Sequence, residues 1–364
     1  MADFIPPAKP IIGAEERRAV DRVLLSGMLA QGPEVAAFEA EFSAHFGLGR
    51  PCVAVNSGTS ALHLGLLSAG VGKGDEVIVP SFTFAATANA VALTGATPVF
   101  ADIDPTTFCL DPESVAASVT DRTVGVMPVH LYGHPANMTE LQRTADEHGL
   151  QIFEDAAQAH GASLGGVPVG AFGSFAAFSL YPTKNMTSGE GGMVAVAHPE
   201  VERLVRLYRN QGMERAYQNE VVGLNNRMTD IHAAIGRVQL TKVAGWTSQR
   251  QHNAGFLSEH LKGVQTPSVA PGAVHVFHQY TIRVPEDRDG FARALRDEFH
   301  VGSGSFYPTP VHKLAPFRAQ VDLPETDRAA RECLSLPVHP SVSREDLQRI
   351  VQAVNTLALA GASA

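Results

Sequence analysis

From Ser57 to about Met193 the chain alternates two apolar rhythms. Short continuous runs predict buried strands: Glu76-Val-Ile-Val-Pro80, Thr97-Pro-Val-Phe-Ala101, Val124-Gly-Val-Met-Pro-Val129, Gln151-Ile-Phe-Glu154 and Ser174-Phe-Ala-Ala-Phe-Ser-Leu180. The stretches 58–69, 84–93 and 138–148 read as helices and fall between them. Strand and helix in alternation predict an α/β domain on a mostly parallel, doubly wound sheet, where ligands gather at the carboxyl ends of strands. Upstream, Val35, Phe38, Phe42 and Phe46 share one face of a helix over 34–46, a spacing suited to packing on that domain. Downstream, 229–261 reads as one long helix with Ile231, Ile235, Val238 and Leu240 as its apolar side. The tail offers a strand, Tyr280-Thr-Ile-Arg-Val284, a helix over 290–299, and a closing helix with Leu347, Ile350, Val354 and Leu357 at core spacing. The expected division is an N-terminal segment and large domain over 1–240 and a small α+β domain over 241–364.

Composition narrows the function. The 364 residues exceed what a single core usually serves, and 45% hydrophobic with 18% charged residues supplies ample buried material. A formal charge of −9 with no Lys/Arg run argues against a nucleic-acid partner, so an anionic substrate has to meet a local basic patch. Cys52, Cys109 and Cys333 are odd in number and far apart, which fits small buried thiols better than a disulfide framework or a zinc site. No metal is expected. The start, Met-Ala-Asp-Phe-Ile-Pro-Pro, lacks a charged region followed by an apolar one, and no stretch reaches the roughly 18 apolar residues of a membrane span. The expectation is a cytoplasmic protein without membrane contact.

Lys184 carries the chemistry. It lies in Phe178-Ser-Leu-Tyr-Pro-Thr-Lys-Asn-Met-Thr-Ser-Gly-Glu-Gly-Gly192, where an apolar strand ends and a glycine-rich turn begins. Upstream, the strand ending Glu154-Asp155 runs into Ala156-Ala-Gln-Ala-His-Gly161. Asn56-Ser-Gly-Thr-Ser-Ala-Leu-His-Leu64 has the form of a phosphate-binding helix start, and Pro80-Ser-Phe-Thr-Phe84 supplies an aromatic ring. Alone, a lysine is usually solvated and an Asp after a strand usually caps a helix. Asp155, Gln158, Ser179 and Lys184 all sit in apolar or glycine-rich surroundings, where unpaired polar groups are costly, and a common ligand resolves this. An amine, a carboxylate, a phosphate cup and a stacking ring are what pyridoxal phosphate requires of a protein.

The assembled pattern resembles the sugar-aminotransferase family of fold-type-I pyridoxal phosphate enzymes, including the perosamine-synthase-like 4-aminotransferases. Six motifs carry the resemblance in order: Ser57-Gly-Thr-Ser-Ala61, Pro80-Ser-Phe-Thr-Phe84, His130-Leu-Tyr-Gly133, Glu154-Asp-Ala-Ala-Gln-Ala-His-Gly161, Tyr181-Pro-Thr-Lys-Asn185 and Gly189-Glu-Gly-Gly192. It implies a three-layer α/β/α large domain with a smaller α+β C-terminal domain. It makes Lys184 the Schiff-base lysine and sets Asp155 against the pyridine nitrogen. Gln158 faces the phenolic oxygen, with Phe84, or Phe82 in its place, over the ring. Gly58, Thr59, Ser60 and Ser179 hold the phosphate. A partner subunit's asparagine completes the phosphate site in this family. Gly223-Leu-Asn-Asn-Arg-Met228 aligns Asn225 there, with Asn226 and Arg227 as alternatives, and implies a homodimer with shared active sites. His160 is read either as a residue at the substrate entrance or as a satisfied loop histidine. Gln211 and Phe306 stand where many relatives carry histidines, and His312 remains a polar candidate near the sugar.

The implied reaction is transamination of a nucleotide-linked keto-deoxysugar, an NDP-4-keto-6-deoxyhexose. L-glutamate is the donor, pyridoxamine phosphate the cofactor's intermediate form and 2-oxoglutarate the co-product. A dehydratase of the same family would carry histidine in place of Lys184, and a non-catalytic regulator would not need Lys184, Asp155 and Gln158 together. A nicotinamide dehydrogenase would want Gly-x-Gly-x-x-Gly where Ser57-Gly-Thr-Ser-Ala61 stands.

Overall fold

Successive apolar residues let a strand bury both of its faces, and the central strands of this protein do so. In β1 (Cys52–Val55), Val53 and Val55 enter one core while Cys52 and Ala54 enter another on the opposite side. The computed structural model describes residues 3–361. Its main sheet adds β2 (Glu76–Pro80), β3 (Thr97–Ala101), β4 (Thr123–Val126), β5 (Gln151–Asp155), β6 (Phe175–Ser179) and β7 (Gly192–Val196), in the order β1-β7-β6-β5-β4-β2-β3. Neighbours pair in parallel except β7, which is antiparallel to both β1 and β6. The expected mostly parallel sheet is present, and the two strands named nowhere in the sequence reading, β1 and β7, form one side of it.

Helices close the sheet on both faces. Before β1 come α1 (Ala14–Ser26) and α2 (Pro33–Phe46); α3 (Gly58–Ser68) follows β1, and α4 (Ala86–Leu93) follows β2. Then come α5 (Pro112–Ala117), α6 (Met138–His148) and α7 (Pro199–Arg209). Residues of α3, α4 and α7 bury Val53, Val77, Phe153, Phe175 and Val194 on one face. On the other, Val35, Phe38 and Phe42 of α2 cover Ala54, Phe178 and Met193, while α5 and α6 cover Ile78, Val126 and Ile152. This is the expected three-layer arrangement.

The helix expected over 229–261 is two helices, α8 (Asp230–Leu240) and α9 (Val243–His260). Neither Gly nor Pro breaks it. Lys242, at the junction, pairs with Glu15 at 2.6 Å and Glu16 at 2.8 Å on α1, and Gln239 donates to Glu16 and to the Ile11 carbonyl. Long-range polar contacts thus sit at the break. The apolar side of α8 also differs from expectation. Ala233, Gly236 and Leu240 face the body, and a Cβ on Gly236 would meet the Phe38 ring at 2.6 Å. Ile231 and Val238 are half-buried against Ala19 and Val23 of α1, and Ile235 lines a groove beside Val20 and Leu24.

The last third joins β8 (Tyr280–Arg283), α10 (Arg288–Phe299), α11 (Pro324–Glu332), β9 (Cys333–Leu336) and α12 (Arg344–Gly361). Ile5, Leu257, Tyr280, Ile282, Leu295, Leu334, Ile350 and Val354 share its core. Between α10 and α11 the chain runs back over the large domain, where Val311 N–H donates to the Ser81 carbonyl at 2.9 Å, and at the start of α11 Asp102 accepts from the Glu325 and Thr326 N–H groups at 3.0 and 2.8 Å. Among the described residues no helix is long and apolar enough to cross a membrane, and the three cysteines are free and buried.

Candidate active site

The carboxyl ends of β1, β2, β5 and β6 bring the sequence-predicted residues to one region. Asp155 is the last residue of β5 and is buried. Its carboxylate accepts the Thr87 hydroxyl at 2.8 Å and the Ala157 N–H at 3.1 Å. Burial pushes this carboxyl above its ordinary range; Thr87, the Ala157 N–H and the Lys184 ammonium pull the other way without cancelling it. A buried carboxylate left in this state asks for a cation.

Lys184 stands in the turn after β6, where its N–H donates to the Tyr181 carbonyl at 2.9 Å. The residue as a whole keeps some open surface, but protein surrounds its amine closely, and desolvation lowers the ammonium from 10.5 to about 8 against the opposing pull of Asp155. Gly191 lies where a Cβ would come within 2.5 Å of Met228 and Ser188, so the glycine-rich turn keeps this loop folded tightly back.

The start of α3 forms the cup. Ser57 caps the helix, its hydroxyl accepting the Ser60 N–H at 3.1 Å and lying 2.9 Å from the Ser60 hydroxyl. The Gly58 and Thr59 N–H groups donate to no protein acceptor among the described residues. Free N–H groups at a helix start attract an anion through the helix dipole. Gly58 is needed for space, because a Cβ there would meet the Ser179 Cβ at 2.7 Å. That close approach sets the Ser179 side chain beside the cup.

Two aromatic candidates separate cleanly: Phe82 is fully buried and Phe84 is 59% exposed, leaving Phe84 with the open ring. Gln158 is clamped, its Oε1 accepting the Tyr132 N–H at 2.8 Å and its Nε2 donating to the Tyr307 hydroxyl at 3.1 Å. His160 lies in the loop after β5. It is buried among Phe42, Phe46 and Phe178, with the Ser179 backbone beside its ring. Desolvation, with Lys184 nearby, lowers it to about 3, so the ring is neutral. His312 is likewise buried, its Nδ1 2.6 Å from the Ser81 hydroxyl and its ring tilted against Phe100, which ties it to the end of β2.

The 223–228 segment runs beside the cup of its own chain: the Asn226 carbonyl accepts the Asn56 N–H at 2.9 Å, and Arg227 forms a bridge with Val55. Asn225 is exposed, and Arg227 donates to the Asn210 carboxamide at 2.8 Å. Phe306 offers its carbonyl to the Tyr132 hydroxyl, and Gln211 lies in the left-handed region at φ 61°.

Residues 10–355 match the DegT/DnrJ/EryC1/StrS aminotransferase family. The chain belongs to this family. A dTDP-3-amino-3,4,6-trideoxy-alpha-D-glucose transaminase from Streptomyces venezuelae is 42% identical over 349 residues, covering 94% of this chain and 91% of the relative. A GDP-perosamine synthase from Caulobacter vibrioides is 37% identical over 374 residues, covering 96% and 97%. Among solved structures, NtdA from Bacillus subtilis with bound cofactor PMP superposes with a TM-score of 0.92 at 27% identity, covering 99% of this chain and 86% of that one. The protein is a pyridoxal-phosphate-dependent aminotransferase of the sugar-aminotransferase type.

Several residues of this aminotransferase escape sequence reasoning. Thr87, in an alanine-rich helix, has no signal beyond its place one turn after Thr83. Tyr307 lies in a loop far along the chain. Glu154 is fully buried and accepts from the Gly170, Phe172 and Gly173 N–H groups at 2.7 to 2.9 Å. His130 Nδ1 accepts the Ala136 N–H, so Nε2 carries the proton it gives Glu154 at 3.1 Å. Desolvation raises the Glu154 carboxyl, but these hydrogen bonds outweigh it and hold the group below its ordinary range. The pair fixes β5 directly beneath Asp155.

Proposed function

We propose that this aminotransferase aminates a nucleotide-linked keto-deoxyhexose, an NDP-4-keto-6-deoxyhexose, using L-glutamate. The observation that carries the reading is Lys184: an amine that burial lowers from 10.5 to about 8, held after a strand end within electrostatic reach of the buried Asp155 carboxylate. Bound pyridoxal phosphate supplies the electron sink that makes the donor's Cα–H acidic. Lys184 Nζ would be the base that accepts that proton and the acid that returns it, for the donor and, in reverse order, for the keto-sugar. Asp155 keeps the ring nitrogen protonated, Phe84 covers the ring, and Gln158 addresses the phenolic oxygen. Gly58, Thr59, Ser60 and Ser179 take the phosphate.

A homodimer with shared sites fits the surface. Leu24, Leu25, Met28 and Leu29 are exposed together at the end of α1, and Tyr217 and Val222 lie almost fully open near the 223–228 segment. Apolar groups in such number favour burial against a second copy. Exposed Asn225 is then available to the partner's phosphate, and Arg227, which has no ion pair among the described residues, to an anionic substrate. Three buried reduced cysteines fit a cytoplasmic setting.

A second reading, amination at the sugar's 3-position, has support in the name of the Streptomyces relative. Incubating the holoenzyme with glutamate and a panel of 3-keto and 4-keto nucleotide sugars, with mass spectrometry of the products, tests both. Amination of the 4-keto-6-deoxy substrate is expected. Turnover of 3-keto sugars alone transfers the assignment to the second reading, and loss of a hydroxyl without gain of nitrogen marks a dehydratase.

A further inference from the structure

Gln158 is held by two parts of the chain at once. A carboxamide can accept through its oxygen and donate two hydrogens. The Tyr132 N–H at 2.8 Å fixes which end is oxygen, and Tyr307, at 3.1 Å, takes one of the two Nε2 hydrogens. One N–H remains. Tyr307 accepts from Gln158, and its own hydroxyl hydrogen has no acceptor among the described residues.

The Tyr307 ring packs 6.5 Å from Phe82 and 6.0 Å from the open ring of Phe84, so Phe84, Gln158 and Tyr307 bracket one space. Burial, with the Asp155 charge adding to it, pushes the Tyr307 phenol well above its ordinary range, and it remains protonated. The loop that carries it is fixed to the large domain through Tyr132 on the Phe306 carbonyl, Val311 on the Ser81 carbonyl and His312 on the Ser81 hydroxyl.

We infer that Tyr307 is a positioning residue: its hydroxyl holds the Gln158 amide so that the remaining Nε2 hydrogen addresses the cofactor's phenolic oxygen. The inference rests on the proposed place of Gln158 against that oxygen. A hydrogen bond to the oxygen favours its anionic form, and the Lys184-linked nitrogen beside it becomes less basic. The last third of the chain thereby sets the proton affinity of a bond made in the large domain. Without the Tyr307 hydroxyl, the amide keeps only its Tyr132 contact and is free to turn its hydrogens away.

The test is a pH titration of the visible absorption band of the purified holoenzyme, read without substrate. Tyr307→Phe keeps the ring packing and removes only the hydroxyl, and its midpoint should rise by roughly one pH unit, as expected for a hydrogen bond to a charged group. Gln158→Ala should rise at least as much, and the double variant no further than Gln158→Ala alone. A shifted Gln158→Ala with an unshifted Tyr307→Phe overturns the inference while leaving the place of Gln158 intact. An additive double variant overturns it too, since Tyr307 then acts by itself. An unshifted Gln158→Ala refutes the proposed place of Gln158 and, with it, the inference.

Discussion

Asp155→Asn separates two effects that one carboxylate exerts in opposite directions. In the native site burial brings the Lys184 ammonium from 10.5 to about 8, and Asp155 is the group that resists the fall. At pH 7 such an amine is about one-tenth neutral, against about one part in three thousand for an ordinary lysine, an advantage of about 300-fold in reactive form. The neutral amine grows with pH, so the rate at which apo-protein captures pyridoxal phosphate should rise with pH and level off above a midpoint near about 8. Removing the carboxylate removes the resisting charge. The midpoint should move below 8 and Lys184 should react faster at pH 7. Turnover should fall on the order of 10²-fold or more, since an amide cannot keep the ring nitrogen protonated. Trinitrobenzenesulfonate labelling of apo-protein across pH, followed by peptide mapping of Lys184, reads the amine without involving the ring nitrogen. Steady-state assays read turnover. A midpoint unmoved or raised in Asp155→Asn refutes the electrostatic coupling, and near-normal turnover reduces Asp155 to a cap.

Lys184→Ala should leave no adduct when borohydride is added to protein and cofactor; a trapped adduct by mass spectrometry assigns the link elsewhere. Gly58→Ala places a methyl 2.7 Å from the Ser179 Cβ and should weaken cofactor binding by roughly tenfold or more, in line with overpacking costs, as measured by fluorescence titration. Unchanged affinity would mean the cup has room to spare. Thr87→Val removes the hydroxyl donated to Asp155 at 2.8 Å and should lower kcat/KM by about 10- to 100-fold, the range of a hydrogen bond to a charged group, with Thr87→Ser restoring most of it. If serine and valine behave alike, the contact is incidental.

Five of the seven sheet strands were legible because burial on both faces writes itself as a continuous apolar run, and the start of α3 because Ser-Gly-Thr-Ser announces a helix with free N–H groups. Phe82 and Phe84 show the limit. Two residues apart, they would share one side of an extended strand, yet Phe82 is buried and Phe84 open because the chain bends there between β2 and α4, and the local sequence does not announce that bend. The break between α8 and α9 follows the same logic. Residues 241 and 242 carry no helix breaker, and the partners gathered there, Glu15 and Glu16, lie more than two hundred positions earlier. Thr87 and Tyr307 were invisible because a hydroxyl has no periodic signature, and only the folded chain shows which carboxylate or amide it meets.

The loop between α10 and α11 lies on the large domain, yet it is made late. During synthesis the strands, the cup and Lys184 all leave the ribosome well before Tyr307 and His312. The nascent chain can therefore assemble its sheet while Gln158 still lacks one of its two holders and Ser81 still lacks its histidine. Ile5 and the Pro6 carbonyl wait longer still, for the C-terminal core and for His339. The candidate site is thus finished from the far end of the polypeptide, and a chain shortened before residue 307 would hold Lys184 and Gln158 without the contact that Tyr307 makes to the amide.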